Sequence, residues 1–273
     1  MLEKPDIPDE RILTGLRAAY GLAPAELTFL PLGADVNTAV YRAASGDGPA
    51  YFVKLRRGGF RAITVSLPAF LKAQGITAVI APLQTLNGRC WAPLGQYRMI
   101  LYPYIEGKNG YEVELSPRNW QEFGAALRAL HAIRLPARLR RAIPCETFSN
   151  DYRELVTSLL AQAAQTTFIE PCAAQMAALL RQHQHTIRQL VARAGRLAQE
   201  LQARPLELVP CHADIHAGNL LIGSDSSLYI VDWDGPRLAP REHDLTLIGG
   251  CRLWNDPRQI AWFNQGYACA NID

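Results

Sequence analysis

Between Cys211 and Asp234 the chain reads C-H-A-D-I-H-A-G-N-L-L-I-G-S-D-S-S-L-Y-I-V-D-W-D, and this stretch concentrates the side chains able to do chemistry. Asp214, His216 and Asn219 stand in a loop ahead of one short apolar run, Leu220 to Ile222. Asp232 and Asp234 follow a second run, Leu228 to Val231, and the Gly-Ser-Asp-Ser-Ser between the two reads as a turn. Pairing these runs as strands brings acids eighteen positions apart in sequence to one end of a hairpin. Carboxylates and an amide oxygen are hard donors, the set magnesium takes while it also holds phosphates. A carboxylate left outside the metal shell would accept a proton from an alcohol attacking phosphorus. The bland alternative is turn and capping duty, common for Asp and Asn at strand ends. A zinc site on His212 and His216 is another, but no cysteine or third histidine follows at ligand spacing. His212 is read instead as a residue that hydrogen-bonds the loop backbone.

The elements that must position this stretch can be taken in order. Ile12, Leu13, Leu16 and Tyr20 recur at helical spacing over residues 9 to 20, and Gly21 ends that helix. Three strands follow as a meander, with turns at Gly33 to Asn37 and Ser45 to Pro49. The first turn is small and polar, as a loop must be if its amides are to approach phosphate oxygens. Lys54 alone interrupts the apolar third strand, so it either snorkels outward or points into a cleft toward an anion. Residues 64 to 74 read as a helix without a single acid and with Pro68 inside it. Residues 75 to 82 and 83 to 92 read as a strand pair joined at Asn87-Gly88. A further strand from Arg98 to Ile105 runs into a linker, Glu106 to Gly110. Ser116 and Pro117 open a helix that reaches His131. Two more helical stretches span 151 to 165 and 173 to 203, with His183 and His185 on a polar face. A loop at 235 to 240 leads to a short helix near Asp244, and Pro257 starts the last helix.

With 273 residues, 49% of them hydrophobic, the chain can bury a substantial core and is expected to form two closely packed lobes. No apolar run is long enough for a membrane span, and the charged opening Met-Leu-Glu-Lys-Pro-Asp is not that of a signal peptide, so a cytoplasmic location is expected. Six scattered cysteines without a CxxC fit reduced thiols. The net charge of +3 hides an asymmetry. No acid occurs between Asp47 and Glu106, where Lys54, Arg56, Arg57, Arg61, Lys72, Arg89 and Arg98 are basic, whereas from Leu206 onward nine acids face four arginines. A polyanionic nucleotide on one side and a small cationic acceptor on the other would suit this distribution. Nucleic acid is a poor fit, because no aromatic residues interleave with the arginines.

The His212-to-Asn219 run H-A-D-I-H-A-G-N, followed by I-V-D-W-D from Ile230, resembles the aminoglycoside phosphotransferase branch of the protein-kinase-like fold. L-G-A-D-V-N from Leu32, Y-F-V-K-L-R-R-G from Tyr51, Y-P-Y-I-E-G-K-N-G from Tyr102 and L-A-P-R-E-H-D from Leu238 extend the likeness over almost the full length. The resemblance implies an α+β bilobal fold, with a mostly β nucleotide-binding lobe over residues 1–105 and a mostly α catalytic and acceptor-binding lobe over 106–273. It implies ATP and Mg2+ as cofactors and transfer to a hydroxyl of an aminoglycoside or aminocyclitol such as spectinomycin. Asp214 would be the base, and Asn219 and Asp232 the magnesium ligands. Lys54, Gly33 and Asn37 would meet the phosphates, and Tyr102, Tyr104 and Ile105 the adenine. Asp234, Glu242 and Asp244 are acceptor-side candidates, and Asp244 is also placed to cap a helix or buttress the loop. The glutamate that pairs with the strand lysine in this fold has no counterpart in residues 64 to 74, and the C-terminal wall of the acceptor side is expected to be short. A kinase for a metabolic alcohol (a sugar, choline or homoserine) and a catalytically weak nucleotide-binding protein are the competing readings. A monomer or weak homodimer is expected.

Overall fold

Gly21, left-handed at φ 70°, closes helix α1 (Asp9–Tyr20), whose Ile12, Leu16 and Tyr20 are buried. The computed structural model describes residues 3–33, 35–45 and 48–268; Ala34 of the first loop, Gly46 and Asp47 of the second turn, and Cys269 lie outside them. Strands β1 (Glu26–Leu30), β2 (Thr38–Ala44) and β3 (Tyr51–Arg57) form the expected meander. After helix α2 (Ile63–Ala73), strands β4 (Ala92–Leu94) and β5 (Tyr97–Pro103) complete an antiparallel sheet of order β1-β2-β3-β5-β4. Val53 and Leu55 of β3 face the core with Tyr41, Met99 and Leu101. The period of two therefore turns Lys54 and Arg56 together to the other face.

Residues 75 to 92 differ from expectation. The turn at Asn87-Gly88 is present, with the Gly88 N–H donating to Thr85 O at 2.8 Å, but no strand pair flanks it. Val79 makes one isolated parallel bridge to Ile230, and Ile76, Ala78 and Val79 are buried without ladder pairing. An apolar run of this length is ambiguous by periodicity, and here it is buried in loop conformation.

The presumed linker after β5 is also a strand. β6 (Gly107–Asn109) is followed by α3 (Pro117–Ala132), which starts in a capping box between Ser116 and Asn119, and by the short α4 (Ala137–Ala142). Residues Cys145–Leu208 form a compact unit of their own, separate from Met1–Pro144 with Val209–Asp273. It holds α5 (Asp151–Gln165), α6 (Pro171–Gln182) and α7 (Gln184–Gln202). The single helix expected over 173 to 203 is broken at His183, which ends α6 and begins α7. In the larger unit β7 (Val209–Cys211) pairs with β10 (Arg237–Ala239), and β8 (Leu220–Gly223) lies between β6 and β9 (Leu228–Ile230). Helices α8 (Glu242–Leu245) and α9 (Pro257–Ala268) follow. A mostly β N-terminal lobe and a mostly helical C-terminal lobe make this the α+β, protein-kinase-like arrangement that was expected. Among the described residues no helix is long and apolar enough to cross a membrane.

Helices α3 and α9 meet through an aromatic seam, in which Phe123 lies 5.2 Å from Phe263 and 5.8 Å from Trp254 between ring centroids. Gly124 and Gly266 permit that approach, since a Cβ on Gly124 would run into the Phe263 carbonyl and one on Gly266 into that of Gln121. Gly124→Ala is therefore expected to destabilise the protein by about 1–3 kcal/mol, as overpacking does. Gly195→Ala on α7, where a Cβ meets only Arg153 Nε at 3.9 Å, is expected to be neutral or to stabilise by up to ~1 kcal/mol. Denaturant midpoints of the two variants check this contrast.

Candidate active site

The β8–β9 hairpin sets the geometry. Leu220 pairs with Ile230, and the Val231 N–H donates to Asn219 O at 2.9 Å, so Asn219 stands one residue from being opposite Asp232. The Asn219 amide donates to Asp214 O at 2.9 Å and Asp214 Oδ2 at 3.2 Å. With its nitrogen committed there, Asn219 Oδ1 is turned away from Asp214. His212 is fully buried. Its Nδ1 accepts from the Asp214 N–H at 3.3 Å, which makes Nε2 the donor to Val231 O at 2.9 Å. Burial lowers its pKa, which keeps the ring neutral in this bridging role. That is the structural part foreseen for it.

Two non-glycine residues of the site, Ala213 (φ 68°) and Asp232 (φ 64°), adopt the left-handed backbone that side chains avoid. Such conformations persist only when the surroundings over-determine them. At Ala213 the constraint is Asp244, whose carboxylate accepts the N–H groups of His212 at 2.8 Å and Ala213 at 2.7 Å. His131 Nε2 reaches the same carboxylate at 3.1 Å, and Tyr267 OH lies 2.8 Å from His131 Nδ1. Burial opposes ionisation of Asp244, but the hydrogen bonds from His131 and Ala213 outweigh it and hold the carboxyl below its usual range. Asp244 is 2% exposed, so it cannot serve on an acceptor surface; of the alternatives for it, the buttress is the one the geometry supports. Glu242, by contrast, is exposed on α8. Cys211 also has its sulfur within 4.8 Å of the His131 and Asp244 ligand atoms. Both His131 nitrogens are already hydrogen-bonded, and burial raises the thiol pKa, which disfavours the thiolate a metal would need.

Lys54 lies at the other side of this cluster. Its Nζ donates to Asp232 Oδ1 and Asp234 Oδ2, both at 2.9 Å. The carboxylates after β9 thus supply the pairing that α2, which has no acid, cannot. Burial alone would lower the Lys54 pKa, but the two aspartates outweigh it and raise it. Asp232 is correspondingly depressed, burial being offset by Lys54. Arg56 pairs with Asp234 as well and reaches Asp35 at 3.4 Å. Asp35 organises the β1–β2 loop by accepting from the Asn37 N–H at 2.8 Å and the Thr38 hydroxyl at 3.0 Å, two residues after Gly33 at φ 83°. Strand alternation places Arg56 on the face of Lys54, whereas no local pattern in the sequence marks Asp35 for this pairing.

The expected adenine segment is only partly available. The Tyr104 N–H donates to Ala50 O at 3.0 Å, and Arg42 lies over the Tyr104 ring at 5.3 Å. Tyr102 is paired opposite Phe52 in the sheet, with its hydroxyl pKa raised by burial. The donor set around Asp232 and Asn219 is all oxygen, and the Asp232 side chain is 47% exposed beside the Lys54 contact, so these residues fit a hard divalent cation.

These features define a phosphotransferase class of site, and residues 28–272 match the phosphotransferase enzyme family, to which the chain belongs. It is similar to spectinomycin phosphotransferase APH(9)-Ia in complex with ADP and spectinomycin, at 33% identity and a TM-score of 0.90 over 98% of this chain and 82% of that one. The AMP-bound complex of that enzyme gives 32% identity and a TM-score of 0.85 over 97% and 82% of the two chains. Protein StrN of Streptomyces griseus is 30% identical over 228 residues, 80% of this chain and 67% of that protein.

Because the folded carboxyls of Asp232 and Asp244 titrate below their unfolded value, their stabilisation is complete above about pH 4 and is lost as pH falls through the depressed folded values. Lys54 has the opposite sign. Its contribution is complete below about pH 10.4 and is lost as pH rises through the raised folded value. Asp244→Asn is expected to cost about 3 kcal/mol near neutral pH, since charged hydrogen bonds to two N–H groups and His131 are weakened. The cost should shrink toward acid, where wild type loses the same charge. Unfolding at a series of pH values measures both effects.

Proposed function

We propose that this protein transfers the γ-phosphoryl group of ATP to a hydroxyl of a cationic aminocyclitol, with spectinomycin as the acceptor. The observation that carries this reading is the convergence of Asp214, Asn219, Asp232 and Lys54 from β3 and the β8–β9 hairpin. The similarity to a phosphotransferase bound to ADP and spectinomycin supports the choice of nucleotide and acceptor. The nucleotide side is assigned to residues 1–105 and the catalytic and acceptor side to 106–273.

In this proposal Asp214 is the base. Its side chain is 59% exposed, and the Asn219 amide orients its carboxylate, so it can receive the proton of an acceptor hydroxyl as that oxygen bonds to phosphorus and ADP departs. Lys54 steadies the nucleotide phosphates, and Gly33 and Asn37 bring loop backbone toward them. Tyr104 has its N–H engaged elsewhere, so the adenine contact is assigned to the Ile105 peptide. Asn219 and Asp232 would hold magnesium, which would offset the negative charge on the transferred group and the departing phosphate. Asp234 is given a different part from the acceptor-side one first considered. Lys54 and Arg56 already pair with it, so it positions Lys54 rather than attracting an amine.

Acceptor-dependent ADP release tests the proposal; turnover with neutral sugars but not with spectinomycin would replace it with a metabolic-alcohol kinase. Asp214→Asn keeps size but removes the proton acceptor, so turnover is expected to fall by roughly 10²-fold or more while nucleotide affinity stays within a few-fold. Asp234→Asn is expected to raise KM for ATP more than KM for the acceptor. The reverse order, read from steady-state kinetics of the same variant, would return Asp234 to the acceptor side.

A further inference from the structure

Beside the loop that carries Asp214 stands an aromatic pair for which the roles above give no use. The Tyr111 and His216 rings stack with centroids 6.1 Å apart and planes inclined by 24°. His216 Nε2 in turn lies 3.8 Å from Asp214 Oδ2. Tyr111 is 66% exposed, so core packing does not explain it. Nor is it loosely mounted. The Gly110 N–H donates to Ala217 O at 2.9 Å and Leu220 O at 3.0 Å, and the Tyr111 N–H donates to Asn109 Oδ1 at 2.9 Å. His216 is fixed as well, its Nδ1 accepting from the Gly218 N–H at 3.1 Å. Gly218 clears the space for both rings, since a Cβ there would lie 2.9 Å from His216 Cε1 and 3.0 Å from Tyr111 Cε2.

A fixed tyrosine ring open to water beside the Asp214 loop offers an apolar face with a polar tip, which suits it to recognition. Its electron-rich face attracts ammonium groups and packs against the C–H face of a saturated ring. We propose that Tyr111, seated on His216, is the platform on which the acceptor lies, and that it selects cationic alicyclic alcohols. His216 sets the distance between the platform and Asp214, so a ring resting on Tyr111 has a hydroxyl within reach of the base. This inference rests on the phosphotransferase reading and gives it a determinant of acceptor choice that Asp234, already paired, does not provide.

The test measures spectinomycin binding by calorimetry in the presence of magnesium and a non-hydrolysable ATP analogue, alongside steady-state kinetics, for wild type, Tyr111→Phe and Tyr111→Leu. Phe retains the aromatic face and should bind within about twofold of wild type, whereas Leu should weaken binding and raise acceptor KM about 5- to 30-fold, the loss of a cation–π contact. ATP KM should be unchanged and kcat nearly so. Equal binding by the Leu variant, or a parallel rise in ATP KM, overturns the proposal. A purely structural role through His216 would appear instead as a fall in kcat with a displaced pH profile, which also overturns it. Wild type that binds spectinomycin without turnover rejects the phosphoryl-transfer reading and leaves the platform to be judged on the binding comparison. Wild type that does not bind spectinomycin overturns the platform itself.

Discussion

The carboxylate of Asp244, ionised yet buried, is the constraint on which the site depends. In a medium of low polarity such a charge persists only when hydrogen bonds surround it. Here they come from the His212 and Ala213 amides and from His131. The arrangement ties α8 to α3 and, through Tyr267, to α9, and it holds Ala213 in a backbone conformation that a non-glycine residue would otherwise leave. Asp214 is the next residue. The helical packing and the placement of the proposed base are therefore one problem, and the aromatic seam between α3 and α9 is part of its solution.

A second cluster couples the strands to the hairpin. Lys54 and Arg56 leave one face of β3, and Asp232 and Asp234 leave the end of β9, forming a chain of charges that runs on to Asp35 in the β1–β2 loop. In the kinase-like pattern a glutamate on the neighbouring helix would hold the lysine. Here α2 is apolar, with Ile63, Val65, Leu67 and Leu71 all buried, and the pairing has moved to the carboxylates themselves. Lys54 and Asp232, the proposed phosphate contact and metal ligand, are thus held by a common ion pair, so a change at one is felt at the other.

This pairing also alters how acceptor choice is to be understood. An excess of acids in the C-terminal part of the chain does not by itself create an attractive field, because Asp234 is paired with Lys54 and Arg56 and Asp244 is buried. In the proposed scheme the exposed Tyr111 ring, rather than net charge, carries acceptor discrimination.

The sequence by itself determined which polar side chains gather at the central stretch, because that grouping is local. Asp214 and Asn219 are five residues apart, and the turn between the apolar runs sets the hairpin that adds Asp232. The meander, the first helix and the Ser116 cap were legible for the same reason, each being written in periodicity and end signals within about a dozen residues. What depended on distant partners was not legible. Residues 107 to 109 have no strand pattern and become β6 only by pairing with β8, more than a hundred positions away. The apolar run at 75 to 82 is buried as a loop rather than as the expected strand, joined to β9 by one bridge, Val79 to Ile230. Asp244 could be taken for a cap, a buttress or an acceptor contact until the fold brought His131 and the 212–213 amides to it. Only the tertiary structure decided which carboxylate meets which cation, since the sign of a charge is written in the residue, whereas its partner and its solvation are set by contacts between segments far apart in the chain.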